Sequence, residues 1–315
     1  MPRIPFSIII KAQRENSLLP ILLKECRTID SARNELRWLR ERAVRDSQPE
    51  TESYTYQAAK LVRQMALDRK DTSKSPDQGR PLRVIDLCTG TGCIPLLLHA
   101  LLAPHFQQLE IIGVDISPTA LSLAQENLKH NLQLGQLEPS AATDIHFHGA
   151  DVLGHGSGHS MPSIESLLQT QLPNFGLDTS PSDQESECDL LISNPPYISQ
   201  KDFRNGTTAR SVRRFEPKLA LVPPYSGSGI EDCMPEDIFY HRILTLAFKL
   251  KAKLTVLECG DSNQANRVVA LHRRLATAES GKFSAEVWPS REQDLADNGF
   301  HVTDGSRGVI IRTLQ

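Results

Sequence analysis

The sequence predicts an α/β chain built on a seven-stranded, mostly parallel, doubly wound sheet. Short apolar runs such as Leu82-Arg83-Val84-Ile85-Asp86 and Leu190-Leu191-Ile192 alternate with stretches of helical periodicity. The segments between runs are long enough for right-handed helical crossovers. Three of the runs end on or beside polar residues, Asp86, Asp115 and Asn194, at the strand ends where open α/β sheets bind ligands.

Taken in order, the chain starts with Phe6 to Arg14. This stretch reads as a first helix or, with Arg3, Lys11 and Arg14 and no acid, as a transit peptide. From Leu18 to Ala43 apolar residues recur at helical spacing, and Ser31 is placed to cap a helix over Ala32 to Arg42. Residues 1–46 therefore read as a helical appendage. Residues 47–80 read as a helix, Tyr54 to Ala66, and a solvated linker over 67–80. The sheet domain follows over 81–315, with strands expected at Leu82 to Asp86, Leu109 to Asp115, Ile145 to His148, Asp189 to Ser193 and Leu254 to Glu258. Ala285 to Trp288 and Val309 to Arg312 complete it. A helix is expected from Gly92 to about Leu102, and Ser117-Pro118 caps and starts another that runs to His130. Residues 152–187, rich in Gly, His, Ser, Pro and Gln, read as a disordered insertion with one helical turn near Ile164 to Leu168. The histidines at 148, 155 and 159 lack carboxylate partners, so a solvated loop is favoured over a metal site.

Composition excludes some functions. The 315 residues are 39% apolar and 23% charged, enough for one large domain and an appendage. No apolar run approaches about 18 residues, so no membrane helix is expected. A net charge of −3 argues against a dedicated nucleic-acid binder, despite the basic strip Arg210-Ser211-Val212-Arg213-Arg214. Six cysteines without a C-x-x-C pair read as buried thiols in a reducing compartment.

Two motifs carry chemistry. Asn194-Pro195-Pro196-Tyr197 combines a side-chain amide, carbonyls with no competing N–H and an aromatic face. That set suits holding a flat, amide-like nitrogen and aiming its lone pair. Asp86-Leu87-Cys88-Thr89-Gly90-Thr91-Gly92 ends a strand and opens a helix, where backbone N–H groups can meet an anion. Asp115, one strand later, is placed to accept from ribose hydroxyls, so a nucleoside-bearing cofactor is expected. Pro95 stands where a dinucleotide fingerprint wants a third small residue, which makes NAD the weaker reading.

The glycine turn, Asp115, the Asn-Pro-Pro-Tyr tetrapeptide and Arg214-Phe215-Glu216-Pro217-Lys218-Leu219-Ala220-Leu221, in this order and spacing, resemble the HemK/PrmC family of protein-glutamine N5-methyltransferases over residues 49–315. Asn-Pro-Pro-Tyr alone also occurs in DNA adenine and RNA guanine methyltransferases; the Phe-Glu-Pro segment narrows the likeness. Residues 31–40 resemble the fungal organellar branch.

The resemblance implies a class I S-adenosylmethionine-dependent fold, S-adenosyl-L-methionine as cofactor and, as substrate, the glutamine of a Gly-Gly-Gln tripeptide in a peptide-chain release factor. It implies a monomer that meets nucleic acid only indirectly, through the translation machinery, in the mitochondrion or otherwise the cytoplasm. Cys88, Thr89, Gly90, Thr91 and Gly92 would pass beneath the methionine portion, with Asp86 toward its ammonium and Asp115 on the ribose. Asp151 and Val152 would flank the adenine, although Asp151 reads equally as a loop acid. Asn194, between cofactor and substrate, and Pro195 would accept from the substrate NH₂ and Tyr197 would pack on it, Pro196 completing that wall. Arg214 and Glu216 would brace the substrate-side loop, and Glu258 reads as a structural acid.

Three departures stand out. Cys88 replaces a family glycine, and Val152 replaces a frequent aromatic. Where the family carries a hairpin with a Gly-x-Pro-x-x-Tyr signature, Arg45-Asp46-Ser47-Gln48 runs straight into Pro49-Glu50-Thr51-Glu52, which reads as an internal deletion near residues 45–49. Two alternatives to the release-factor reading follow: a nucleic-acid amino (adenine N6 or guanine N2) methyltransferase, and a catalytically impaired cofactor-binding relic.

Overall fold

The computed structural model describes residues 5–15, 19–20, 23, 28–33, 50–70, 80–154, 161–172, 188–208, 210–224, 233–276, 282–288 and 307–314. The chain divides into two compact units, Met1–Pro49 and Glu50–Gln315. The deletion read near residues 45–49 lies outside the described residues.

In the first unit, helix α1 (Phe6–Glu15) buries Ala12 in a small cluster with Leu19, Leu23 and Ala32. Arg33 grips Glu15 through both carboxylate oxygens, at 2.8 and 2.6 Å. The expected cap at Ser31 moves. Residues 29–33 are already helical, and it is Thr28 whose hydroxyl accepts from the Ser31 amide at 3.2 Å. A threonine three residues ahead satisfies an N3 amide as well as a serine can, so sequence alone left the choice open.

The second unit begins with α2 (Glu50–Lys70), longer at both ends than expected. Glu52 favours its amino end by matching the helix dipole. Of the linker read over 67–80, residues 67–70 are helical and 71–79 lie outside the described residues. There follow β1 (Leu82–Leu87), α3 (Cys93–Leu102), β2 (Leu109–Asp115), α4 (Pro118–Gln133), α5 (Ala141–Asp144) and β3 (Ile145–Gly149). Next come α6 (Ile164–Gln171), β4 (Leu190–Ser193), α7 (Gln200–Asn205), α8 (Arg210–Phe215), α9 (Lys218–Leu221), α10 (Ile238–Lys249), β5 (Leu254–Cys259), α11 (Ser262–Leu275), β6 (Lys282–Trp288) and β7 (Arg307–Leu314). Ser117 caps α4 as expected, its Oγ accepting from the Ala120 amide at 3.3 Å.

The seven strands run in the order β3-β2-β1-β4-β5-β7-β6, with β1 to β5 parallel and β7 antiparallel to both neighbours. This is the class I methyltransferase sheet. Alternate residues face opposite sides, because strand side chains have a period of two. Val84, Ile111, Leu190, Ile192, Leu254 and Val256 pack with α2 and α3, while Ile85, Leu87, Ile112, Val114, Leu191 and Leu257 pack with α6, α10 and α11. Both faces are therefore buried, which is why the strands read as unbroken apolar runs. At the amino ends of β1, β4 and β5 a buried network ties three segments. Asp189 accepts from Arg80 at 2.9 and 2.7 Å and from the Arg83 amide at 3.0 Å, and pairs with Lys253 at 3.1 Å.

The insertion read as disordered over 152–187 is in part ordered. Residues 161–172 hold a two-turn helix, α6, capped by Ser163, with Ile164, Leu167 and Leu168 buried in the core. Arg242 clamps it by donating to the Val152 carbonyl at 3.0 Å and pairing with Glu165. The one turn expected near Ile164 to Leu168 from the apolar i, i+3, i+4 spacing is two turns long, Ile164–Gln171. Residues 155–160 and 173–187, with His155 and His159, lie outside the described residues. Among the described residues five cysteines are free; Cys188 and Cys259 are buried as expected, whereas Cys93 is exposed. No described helix is long and apolar enough to cross a membrane.

Candidate functional site

Strand register builds the site. Leu87 pairs with both Val114 and Ser193, and Ser193 pairs with Leu257, so these four residues form one rank across β2, β1, β4 and β5. The residue after each is Asp115, Cys88, Asn194 and Glu258. Four candidate groups therefore stand in a row at the carboxyl ends of parallel strands, the position where the fold places ligands.

The β1 turn is shaped for close backbone approach. Cys88, Gly90 and Gly92 have φ of 61, 55 and 78°, in the left-handed region. A Cβ on Gly92 would lie 2.8 Å from the Phe147 ring, so only glycine fits there, whereas the space over Gly90 is open. The Thr89 amide donates to the Val114 carbonyl at 2.9 Å, and Thr91 is held through its carbonyl by Asn127 at 3.0 Å. Cys88 is a side chain forced into a glycine conformation, at a cost of about 1–2 kcal/mol. Accordingly, Cys88→Gly should leave stability within about 1 kcal/mol of the parent, since relief of strain offsets lost packing and added chain entropy. Cys88→Val should cost about 2–3 kcal/mol, because a β-branched residue tolerates positive φ worst. Urea unfolding measures both; equal costs would show that φ does not restrict the position.

Asp86 is fully buried, and neither carboxylate oxygen has a hydrogen-bond partner among the described residues; nor has the Thr89 hydroxyl. Burial pushes the Asp86 carboxyl up to about 8, the nearby Thr89 hydroxyl pulling it down and the Asp115 charge adding to the rise. A buried unpaired carboxylate is costly, so the site is complementary to a cation that would enter with its own N–H donors. The ammonium of S-adenosylmethionine is such a group, and the residues present fit it. Burial, then the Asp115 and Asp86 charges, also push the Cys88 thiol up, which keeps it neutral.

Asp115 is already engaged, with Oδ2 accepting from the Gly90 amide and Oδ1 from the Ser117 amide, both at 2.8 Å. It is thus the strut of the turn, and each oxygen keeps a lone pair for a ribose hydroxyl. Asp151 is buried, its Oδ1 accepting from the Leu153 amide at 2.9 Å, and it bridges to Ser163. Val152 lies in the core with its side chain buried, so its backbone is what can line a cofactor.

At the β4 end Pro195 and Pro196 are buried and Asn194 half-buried. The Asn194 Nδ2 donates to Thr51 Oγ1 at 3.4 Å, while its Oδ1 has no partner among the described residues. Tyr197 donates from its hydroxyl to Glu258 Oε1 at 3.1 Å, its ring lies against Gly260, and its carbonyl accepts from Gln264 at 3.2 Å. Thr51, on the first turn of α2, donates to Glu258 Oε2 at 3.0 Å. Sequence reading passed over Thr51 and took Glu258 as merely structural; the available signal was that Glu258 ends a parallel strand as Asn194 does. Arg214 and Glu216 are exposed, beside a Phe215 that is 79% exposed. Their segment is tied to the tetrapeptide through the Ile198 amide, which donates to the Leu221 carbonyl at 2.9 Å.

No family model matches the chain. Among solved structures, the N-terminal domain of human METTL16 in complex with SAH shares 13% identity at a TM-score of 0.45, over 85% of this chain and 71% of that one. Among curated proteins, a Schizosaccharomyces pombe protein described as a probable MRF1 mitochondrial N(5)-glutamine methyltransferase is 35% identical over 195 residues, 61% of this chain and 52% of that relative. The mitochondrial MRF1 N(5)-glutamine methyltransferase of Saccharomyces cerevisiae is 29% identical over 261 residues, 70% of this chain and 68% of the relative. The release factor glutamine methyltransferase of Escherichia coli is 31% identical over 157 residues, 49% of this chain and 40% of the relative. The chain thus spans about half the length of the first of these relatives. The curated relatives of this chain are N(5)-glutamine methyltransferases, mitochondrial in two cases and named for release factors in the bacterial ones, at 29–35% identity.

Proposed function

We propose that the chain transfers a methyl group from S-adenosyl-L-methionine to the side-chain nitrogen of the glutamine in the Gly-Gly-Gln tripeptide of a peptide-chain release factor. The observation that carries this reading is the single rank at the strand ends. It sets the Asp115 strut in line with an Asn194 whose Oδ1 is free to accept, and the buried Asp86 carboxyl lies on β1, two residues before Cys88. S-adenosylmethionine supplies a methyl on a sulfonium, an electrophile that needs no activation by the protein.

The protein's task lies with the acceptor. An amide nitrogen is a poor nucleophile because its lone pair is delocalised, so orientation matters more than deprotonation. Asn194 Oδ1 and the Pro195 carbonyl would accept hydrogen bonds from the two substrate N–H groups and aim the nitrogen, a positional effect of the kind worth several kcal/mol. One of those protons would leave to solvent once the methyl is transferred. The buried Pro195 and Pro196 keep water from that edge, and Tyr197, pinned through its hydroxyl, offers its ring to the flat amide. Dispersal of charge as the sulfonium becomes a thioether suits this partly apolar wall. Asp86 would hold the ammonium, Cys88 to Gly92 the methionine portion, Asp115 the ribose, Asp151 and Val152 the adenine side, and Arg214 with Glu216 the substrate-side loop. The mitochondrial names of two relatives support a mitochondrial location, and a monomer is sufficient for this chemistry.

The test is methyl transfer from radiolabelled cofactor to release factor, and to the same factor carrying Gly-Gly-Ala in place of Gly-Gly-Gln. Label should appear on the first and be absent from the second. Label that persists on the Gly-Gly-Ala protein, or moves to nucleic acid, would refute the reading. Cofactor binding with no label on any acceptor would favour the reading of a catalytically impaired relic.

A further inference from the structure

Which end of the Asn194 amide faces the cleft decides whether it can receive a substrate N–H. That choice is dictated from outside the tetrapeptide. The Thr51 hydroxyl owns one proton and gives it to Glu258 Oε2 at 3.0 Å. That bond uses the hydroxyl's only proton, so Thr51 Oγ1 is left as an acceptor toward Asn194. The Asn194 NH₂ must then turn to Thr51, as it does at 3.4 Å, and Oδ1 is driven to the other side. Reversing the amide would set two lone pairs against each other and leave Nδ2 unpaired.

From this we propose that Thr51 and Glu258 are positioning residues, a donor relay that fixes the Asn194 amide with its oxygen toward the reacting nitrogen. The relay deepens the methyl-transfer reading above and rests on its assignment of Asn194 as acceptor of the substrate amide. Glu258 is 4% exposed, and its other oxygen receives the Tyr197 hydroxyl at 3.1 Å. One buried carboxylate therefore orients both polar side chains of the tetrapeptide. The three partners come from the start of α2 and the ends of β4 and β5, so packing of α2 against the sheet is a condition for a correctly aimed site. The relay also gives the Pro49-Glu50-Thr51-Glu52 segment a task, namely delivering one hydroxyl.

The experiment compares kcat for release-factor methylation and Kd for cofactor across the full-length parent, Thr51→Val, Thr51→Ser, Asn194→Ala and the Thr51→Val/Asn194→Ala pair. Thr51→Val should lower kcat roughly tenfold to hundredfold, the scale of a lost orientation, with cofactor Kd within about twofold. Thr51→Ser, which keeps the hydroxyl, should restore most of that rate. In the Asn194→Ala background Thr51→Val should change nothing further, because the group it orients is gone. Asn194→Asp probes the same relay without touching Thr51. It keeps an acceptor toward the substrate but sets an oxygen against Thr51 Oγ1, and should also lower kcat at least tenfold. Parental kcat in Thr51→Val or Asn194→Asp, or losses that multiply in the double variant, would overturn the relay while leaving the methyl-transfer reading intact. Parental kcat in Asn194→Ala would instead remove the role of Asn194 and the relay with it.

Discussion

Asp86→Asn should abolish cofactor binding at micromolar concentrations and, at the same time, make the cofactor-free protein more stable. The two effects share one cause. Asp86 is held at 0% exposure with no partner for either oxygen among the described residues, and burial pushes its carboxyl up to about 8. In the folded chain it keeps its proton well above the pH at which the unfolded chain has lost it. The unfolded state thus binds fewer protons between about pH 4 and 8, and stability falls as pH rises through that window. Four pH units would amount to about 6 kcal/mol, since each is worth about 1.4. An amide at position 86 carries no charge and removes this dependence, although it leaves N–H groups unpaired. A gain of about 2–3 kcal/mol at pH 8 is therefore expected. The cofactor ammonium offsets the same penalty in the parent, so its loss should weaken binding by at least a hundredfold. Calorimetric titration with cofactor and thermal unfolding at pH 5 and pH 8 measure both arms. Equal destabilisation of the variant at both pH values would show that Asp86 is satisfied within the protein and is not kept for a ligand.

How far the sequence foretold the site follows the same physics. The β2 strand was legible to the residue because Leu109–Asp115 is buried on both faces and ends on a charge that needs the sheet's edge. The β1 turn was legible from its glycines, and Gly92 against the Phe147 ring shows why no other residue stands there. Asp115 stands at the carboxyl end of β2 as expected, but its duty to the Gly90 and Ser117 amides was hidden, since a carboxylate serving its own loop and one placed to serve a ribose look alike in sequence. Thr51 was beyond reach altogether. It lies 143 residues from Asn194 and 207 from Glu258, and only the packing of α2 against the sheet brings the three together. Helix α6 was legible only as one turn near Ile164 to Leu168, because the polar segments on either side concealed how far the helix runs.

Asn194→Ala is the second large effect: kcat for release-factor methylation should fall about a thousandfold, the scale of losing a preorganised group aimed at the reacting centre. Its selectivity is the stronger test. The change removes one hydrogen bond, to Thr51 at 3.4 Å, on a half-buried side chain, so fold and cofactor turn should be preserved and cofactor Kd should stay within about threefold. Docking of the release factor would rest on a wider surface, including the exposed Phe215 segment, so KM for the protein substrate should change little. A loss in kcat alone marks an interaction made at the transition state rather than in binding. Were Asn194 instead a general base, the rate of the parent would follow an ionisation, and an amide has none in the accessible range. Under the proposed methyl transfer, orientation of the substrate lone pair is then the step the tetrapeptide would provide. A variant with reduced cofactor affinity and unchanged kcat would move Asn194 to the cofactor side of the rank.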